Sequence, residues 1–219
     1  MANNVAKVNG IAIASIAKIN GQNDSDLAKI NGLEFTGGPT DAHTLISSQD
    51  AGGATSVTFS SLGTYDVLML DWINFDSTDG SDDVLAFQAT TSSYSYNAPI
   101  VSTYFRAYHE EDDDPANSAY YTSGDQSASD AAYQWLGTYQ DQDVANASGC
   151  GNLTLFGHSN TTDYKNFLSR GITDTGSAAH DAHVAGYFDT TEAITALQFK
   201  ALGGGAFTGT FKLYGLATS

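Results

Sequence analysis

Hydrophobic and polar positions change rhythm several times along this chain. Over the first 36 residues a pentapeptide returns: Ala6-Lys7-Val8-Asn9-Gly10, Ala17-Lys18-Ile19-Asn20-Gly21 and Ala28-Lys29-Ile30-Asn31-Gly32, each copy 11 residues after the last. Asn and Gly both accept positive φ, which the tight turn of a two-residue hairpin requires. The stretches between, residues 11–16 and 33–35, are short, apolar and partly alternating. The front of the chain therefore predicts a ladder of brief strands joined by tight turns. A segment of this size buries too little surface to form a core alone. It calls for a partner: the rest of the chain, further copies of it, or a larger assembly.

Thr36-Gly37-Gly38-Pro39-Thr40 punctuates the chain and predicts the boundary between a repeat leader, 1–36, and a second domain, 37–219. Beyond it the apolar segments lengthen. Residues 56–60 alternate, and 66–75 form a long apolar run expected to be a central strand buried on both faces. Strands are expected at 84–88 and at 100–108, the latter with aromatic residues at its outer positions. Residues 109–130 are polar and charge-dense, and predict an exposed excursion. Strands resume near 133–135, 152–156, 165–169, 182–188, 194–199 and 207–214. Gly203-Gly204-Gly205 predicts a flexible hairpin joining the last two. About eight to ten short strands, with no convincing amphipathic helix, argue for an all-β, jelly-roll-like antiparallel β-sandwich behind the short-stranded leader.

Composition agrees: of 219 residues 41% are hydrophobic and 11% aromatic, with 22 glycines and only three prolines. Charge adds more. The net charge is −17, from 8 basic and 25 acidic residues. Lys7, Lys18 and Lys29 lie in the leader, so residues 33–219 carry five bases against 23 acids. An acidic body with a mildly basic front repels nucleic acid and anionic membrane. No apolar run approaches the length of a membrane span, and lysines interrupt any signal-peptide core at the front. Cys150 stands alone between glycines, which excludes an intrachain disulfide and suits a small packed residue.

The residues also carry a resemblance. The Ala-Lys-Ile-Asn-Gly leader is similar to the N-terminal repeats of structural, virion or tail-fibre-like proteins encoded by tailed phages, especially those of marine bacteria. Residues 56–62 with 65–70 resemble the first strand pair of that group, and 193–199 with 210–215 its closing pair. The likeness covers both ends and is loose in the middle. It implies a particle component located in the virion and assembled in the host cytoplasm, and it implies no catalytic site.

Candidate chemistry is sparse. Carboxylates cluster at Asp82/Asp83 and from Glu110 to Asp114. A glycan hydrolase needs two carboxyls, one of them desolvated, whereas a polar acidic run reads as a solvated face. Asp76, Asp79, Asp82 and Asp83 put several oxygens in one glycine-bearing turn, a pattern calcium accepts; a bare acidic turn accounts for it equally. Otherwise no cofactor is expected. His180 and His183 resemble half a zinc site, but strand alternation puts them on opposite faces. Aromatics crowd 94–139, and Tyr104, Tyr108, Tyr120, Tyr121 and Trp135 are candidates for a ligand or subunit contact. The same alternation also suits a core, and both readings stand.

These features lead to an expectation of a non-enzymatic virion structural protein, a capsid decoration or cement subunit or a fibre component. Assembly would rest on Val8, Ile11, Ile13, Ile16, Ile19, Ile30, Leu33 and Phe35. Its partners would be further copies of itself, with a trimer by analogy to fibre proteins, and other capsid or tail subunits. The alternatives are a fibre that binds host surface glycan and, further off, a glycan hydrolase.

Overall fold

A computed structural model describes residues 43–78, 83–112, 116–129, 131–140 and 146–216, together with six two-residue strands in the leader. The chain divides into two units, Met1–Ala42 with Thr218–Ser219, and His43–Ala217. Among the described residues there is no helix, and none is long and apolar enough to cross a membrane.

The leader strands pair as three separate antiparallel hairpins. Strand β1 (Lys7–Val8) pairs β2 (Ile11–Ala12), β3 (Lys18–Ile19) pairs β4 (Gln22–Asn23), and β5 (Lys29–Ile30) pairs β6 (Leu33–Glu34). The inner partners are Val8↔Ile11, Ile19↔Gln22 and Ile30↔Leu33. Each Asn-Gly thus falls between paired strands at the two-residue spacing its turn chemistry favours. The brief strands expected of the leader form three two-stranded sheets.

The second unit is an antiparallel β-sandwich of unequal sheets. Its strands are β7 (Thr44–Asp50), β8 (Val57–Phe59), β9 (Val67–Ser77), β10 (Leu85–Thr90), β11 (Ile100–Glu110) and β12 (Asn117–Tyr120). There follow β13 (Gln134–Trp135), β14 (Gly149–Phe156), β15 (Lys165–Asp174), β16 (Ala178–Phe188), β17 (Ala196–Ala201) and β18 (Phe207–Leu216). Eight strands run in the order β12-β11-β16-β15-β14-β9-β18-β7, and four in the order β13-β10-β17-β8. Pairing is nested: β9 with β18, β10 with β17, β11 with β16, and β14 with β15. This is the pattern of one long hairpin folded over on itself, and it gives the sandwich its jelly-roll-like character.

The core lies between the sheets and is rich in phenylalanine. Phe87 from the small sheet meets Phe167 and Phe188 from the large one at 5.2 and 5.9 Å, and Phe199, 6.0 Å from Phe87, meets Phe211 of the large sheet at 5.9 Å. On β18, Phe207, Phe211 and Leu213 are fully buried, as its alternation predicts.

Several local expectations are corrected. The run on β9 buries one face only: Leu68, Leu70 and Trp72 are inside, while Val67, Met69 and Asp71 are half-buried. The strand buried on both faces is β10, because the Gln88 amide outside it donates to the carbonyls of Ala98 and Ala132 and ties covering loops down. The glycine run 203–205 does not close a hairpin. It carries the chain from the small sheet to the large one, and the buried Asp83 carboxylate accepts the Gly203 amide at 2.9 Å. The stretch 109–130 includes edge strand β12, which folds back onto β11. The outward aromatic of β11 is Phe105, whereas Tyr104 points into the core.

Candidate functional site

Alternation along β11 places Tyr104, Arg106 and Tyr108 on the inner side of the large sheet, near the end where the small sheet runs out. Tyr104 is fully buried, and its hydroxyl donates to the Gly137 carbonyl at 2.7 Å. Burial pushes its pKa up. Gly124 permits the chain to pass over that ring, since a Cβ there would lie 2.6 Å from Tyr104. Tyr121 and Trp135 each sit 6.1 Å from the Tyr104 ring, and Tyr139 is 5.4 Å from Trp135. The Arg106 guanidinium lies 4.3 Å over the Tyr121 ring and 5.7 Å from that of Tyr108. Tyr108 in turn stacks on His180 at 5.4 Å. Burial, followed by the nearby Arg106 charge, lowers the His180 pKa.

Four of the five aromatics nominated from sequence therefore converge, and Tyr120 does not. Tyr120 lies on the outer face of the sheet, edge-on to Phe105 at 5.1 Å. Two of the four are corrected as ligand-binding candidates. Tyr104 and Trp135 are 0% and 8% exposed, so both are core and neither offers a face to a ligand. Tyr108, Tyr121 and Arg106 remain half-exposed, and Tyr139 is exposed. Arg106 and His180 were not nominated for this cluster. The signal for Arg106 was present in the Tyr-x-Arg-x-Tyr spacing of 104–108, which puts all three on one strand face. The arrangement can hold a planar or ring-shaped polar group against tyrosine faces beside a cation.

The acidic turn reads differently. Asp83 is 2% exposed, and its Oδ1 accepts the amides of Val84 at 2.8 Å and Gly203 at 2.9 Å. Asp76 accepts from the Gln140 side chain at 2.8 Å. Asp79 and Asp82 lie outside the described residues. Among the described residues no group of three or more His, Cys, Asp or Glu side chains is placed to hold a metal ion. His180 and His183 do fall on opposite faces of β16, with His183 on the outer face 3.1 Å from Asp181. Cys150 Sγ accepts the Asn74 amide at 3.3 Å.

Of the assembly residues, Val8, Ile11, Ile19, Ile30 and Leu33 fall on the paired leader strands, where the description is of backbone pairing. Ile13, Ile16 and Phe35 lie outside the described residues.

Set beside known proteins, the chain matches no family model, no curated protein and no solved structure. What stands is the class: an all-β antiparallel sandwich preceded by three short hairpins.

Proposed function

We propose that this chain is a non-enzymatic structural protein of a tailed-phage virion, a capsid decoration or cement subunit or a fibre component, held to the particle by its front repeats. The observation that carries this reading is the leader backbone: three hairpins, each a separate sheet of two residue pairs. A lone two-stranded hairpin is marginal in water. Among the described residues each of these strands has a partner on one side only. An open strand edge accepts a further strand, backbone to backbone, from a neighbouring subunit. Three such hairpins in one chain multiply the contact through linkage. The acidic sandwich then faces solvent, where its charge favours solubility and disfavours nucleic acid.

The test is a truncated chain lacking residues 1–42, assayed for co-sedimentation with particles of the phage that encodes it. The truncated body is expected to keep its circular dichroism and lose the particles. Binding equal to that of the full chain would refute the leader as fastening.

A second reading, a fibre body that binds host glycan, draws on the half-exposed Tyr108 and Tyr121 with Arg106 against both rings. Under it, glycan-array binding is lost on Tyr121→Ala. Under the first reading that variant binds particles normally.

A further inference from the structure

Part of the outer face of the eight-stranded sheet carries several large apolar side chains in the open. Along β15 the buried positions are Lys165, Phe167, Ser169, Gly171 and Thr173, while Leu168 and Ile172 point outward and are each 53% exposed. Lys165 is fully buried, its ammonium donating to the carbonyls of Asp163 and Thr190. Two strands away, Phe105 is 48% exposed while its neighbour Arg106 turns inward. A one-residue shift of either strand would move the apolar residue inside only by turning Phe167 of β15, or Ile100 and Tyr104 of β11, outward. The pairing found fixes the opposite choice. Large apolar side chains left exposed close together on one sheet face mark a docking surface rather than a plain solvated one.

The exposed residues are neighbours. Registers across β11, β16 and β15 run Thr103↔Ala185↔Leu168, Phe105↔His183↔Arg170 and Ala107↔Asp181↔Ile172. Tyr120 adjoins Phe105 at one side, and Phe156 adjoins Leu168 at the other, across a shallow groove floored by Ala185. The charges set in this patch cancel. Arg170 grips Asp181 with two bonds of 2.9 and 2.8 Å, and His183 reaches the same carboxylate. In a chain of net charge −17, this is an apolar area with its own charges paired.

We infer that this face, spanning β12, β11, β16, β15 and β14, is where a second copy of this chain docks. It goes beyond the proposed function to the self-association expected from the sequence, and it does not depend on the leader. Charge selects the occupant. Two bodies with so large a charge of one sign repel over most of their surfaces, and meet at least cost where each is neutral and apolar. Area is sufficient. Five strands at ~4.8 Å spacing and seven residues at ~3.4 Å give a face of about 24 by 24 Å, or about 600 Å² per copy. Two such faces bury about 1,200 Å², the lower end of stable protein interfaces, before side-chain relief is added.

The experiment is sedimentation velocity on the full chain, comparing wild type with Leu168→Asp, Ile172→Asp and Leu45→Asp. Leu45 is 52% exposed on β7, at the far edge of the same sheet, and serves as the control. Wild type and Leu45→Asp are expected at a multiple of 23.0 kDa. Leu168→Asp and Ile172→Asp are expected at the monomer mass, with self-association weakened on the order of a hundredfold. Both positions are exposed in the subunit, so the core is untouched, and unchanged circular dichroism confirms it. An oligomeric wild type whose mass survives both substitutions overturns this face while leaving the oligomer reading intact. A wild type that stays monomeric at 100-micromolar-scale concentration overturns both.

Discussion

Removing the Asp83 carboxylate decides whether the acidic turn is architecture or a metal site. Asp83 is buried, and it joins the start of β10 to the crossing between the two sheets. Its Oδ1 accepts two backbone amides, Val84 at 2.8 Å and Gly203 at 2.9 Å, and its Oδ2 lies 3.1 Å from the second of these. A hydrogen bond to a charged group contributes about 1.5–3 kcal/mol, and a buried donor left without a partner costs about 1–3 kcal/mol. Two donors would set the loss from Asp83→Ala at about 3–6 kcal/mol. Gly203 is partly exposed and can turn to water, so the lower half of that range, about 3 kcal/mol, is expected. For a unit of this size that lowers Tm by about 6–12 °C. Asp83→Asn keeps an acceptor at Oδ1 and should lose only about 1 kcal/mol. The assay is urea unfolding followed by circular dichroism, run with EDTA and again with millimolar calcium. The architectural account requires the same loss in both. A loss below about 1 kcal/mol for Asp83→Ala refutes it, and so does a calcium-dependent rise in wild-type stability that the variant lacks.

Two further outcomes follow from the core and from its buried base. Phe87→Ala removes the ring that touches partners in both sheets and should cost about 3–5 kcal/mol; a loss no greater than that of Leu168→Ala on the exposed face would show that the sheets do not pack through it. Burial lowers the His158 pKa below its ordinary 6.5. The unfolded chain then takes up this proton at higher pH than the folded one. The stability tied to neutral His158 is whole above about pH 6.5 and is lost as pH falls toward the folded value. Tm should therefore fall from about pH 7 to pH 5 more steeply in wild type than in His158→Gln, and parallel curves would refute the assignment.

Legibility in the sequence tracked the range of the interaction involved. The Asn-Gly hairpins were readable because a two-residue turn is a local matter, set by which residues accept positive φ. Strands β8 and β18 were readable from alternation. Strand β7 (TLISSQD) was not, because most of it is polar and its place depends on pairing with β18. The glycine run at 203–205 read as a hairpin because nothing in the letters says that its two strands belong to different sheets. The aromatic cluster was half legible. Composition picked out its tyrosines, but only packing separated Tyr104 and Trp135, which are core, from Tyr108 and Tyr121, which reach the surface.

The sequence by itself determined the secondary-structure type, the repeat and its turns, the acidic balance and the all-β class. These depend on propensity, period and charge, which are properties of neighbours along the chain. Where alternation is mixed, the tertiary structure decided which face of the strand is inside. Along β15 that choice buries Phe167 together with Lys165, and exposes Leu168 and Ile172 together with Arg170. The physical reason is register: a sheet fixes the side-chain parity of each strand through its hydrogen-bonded neighbours, so β14 and β16 settle what β15 shows to solvent.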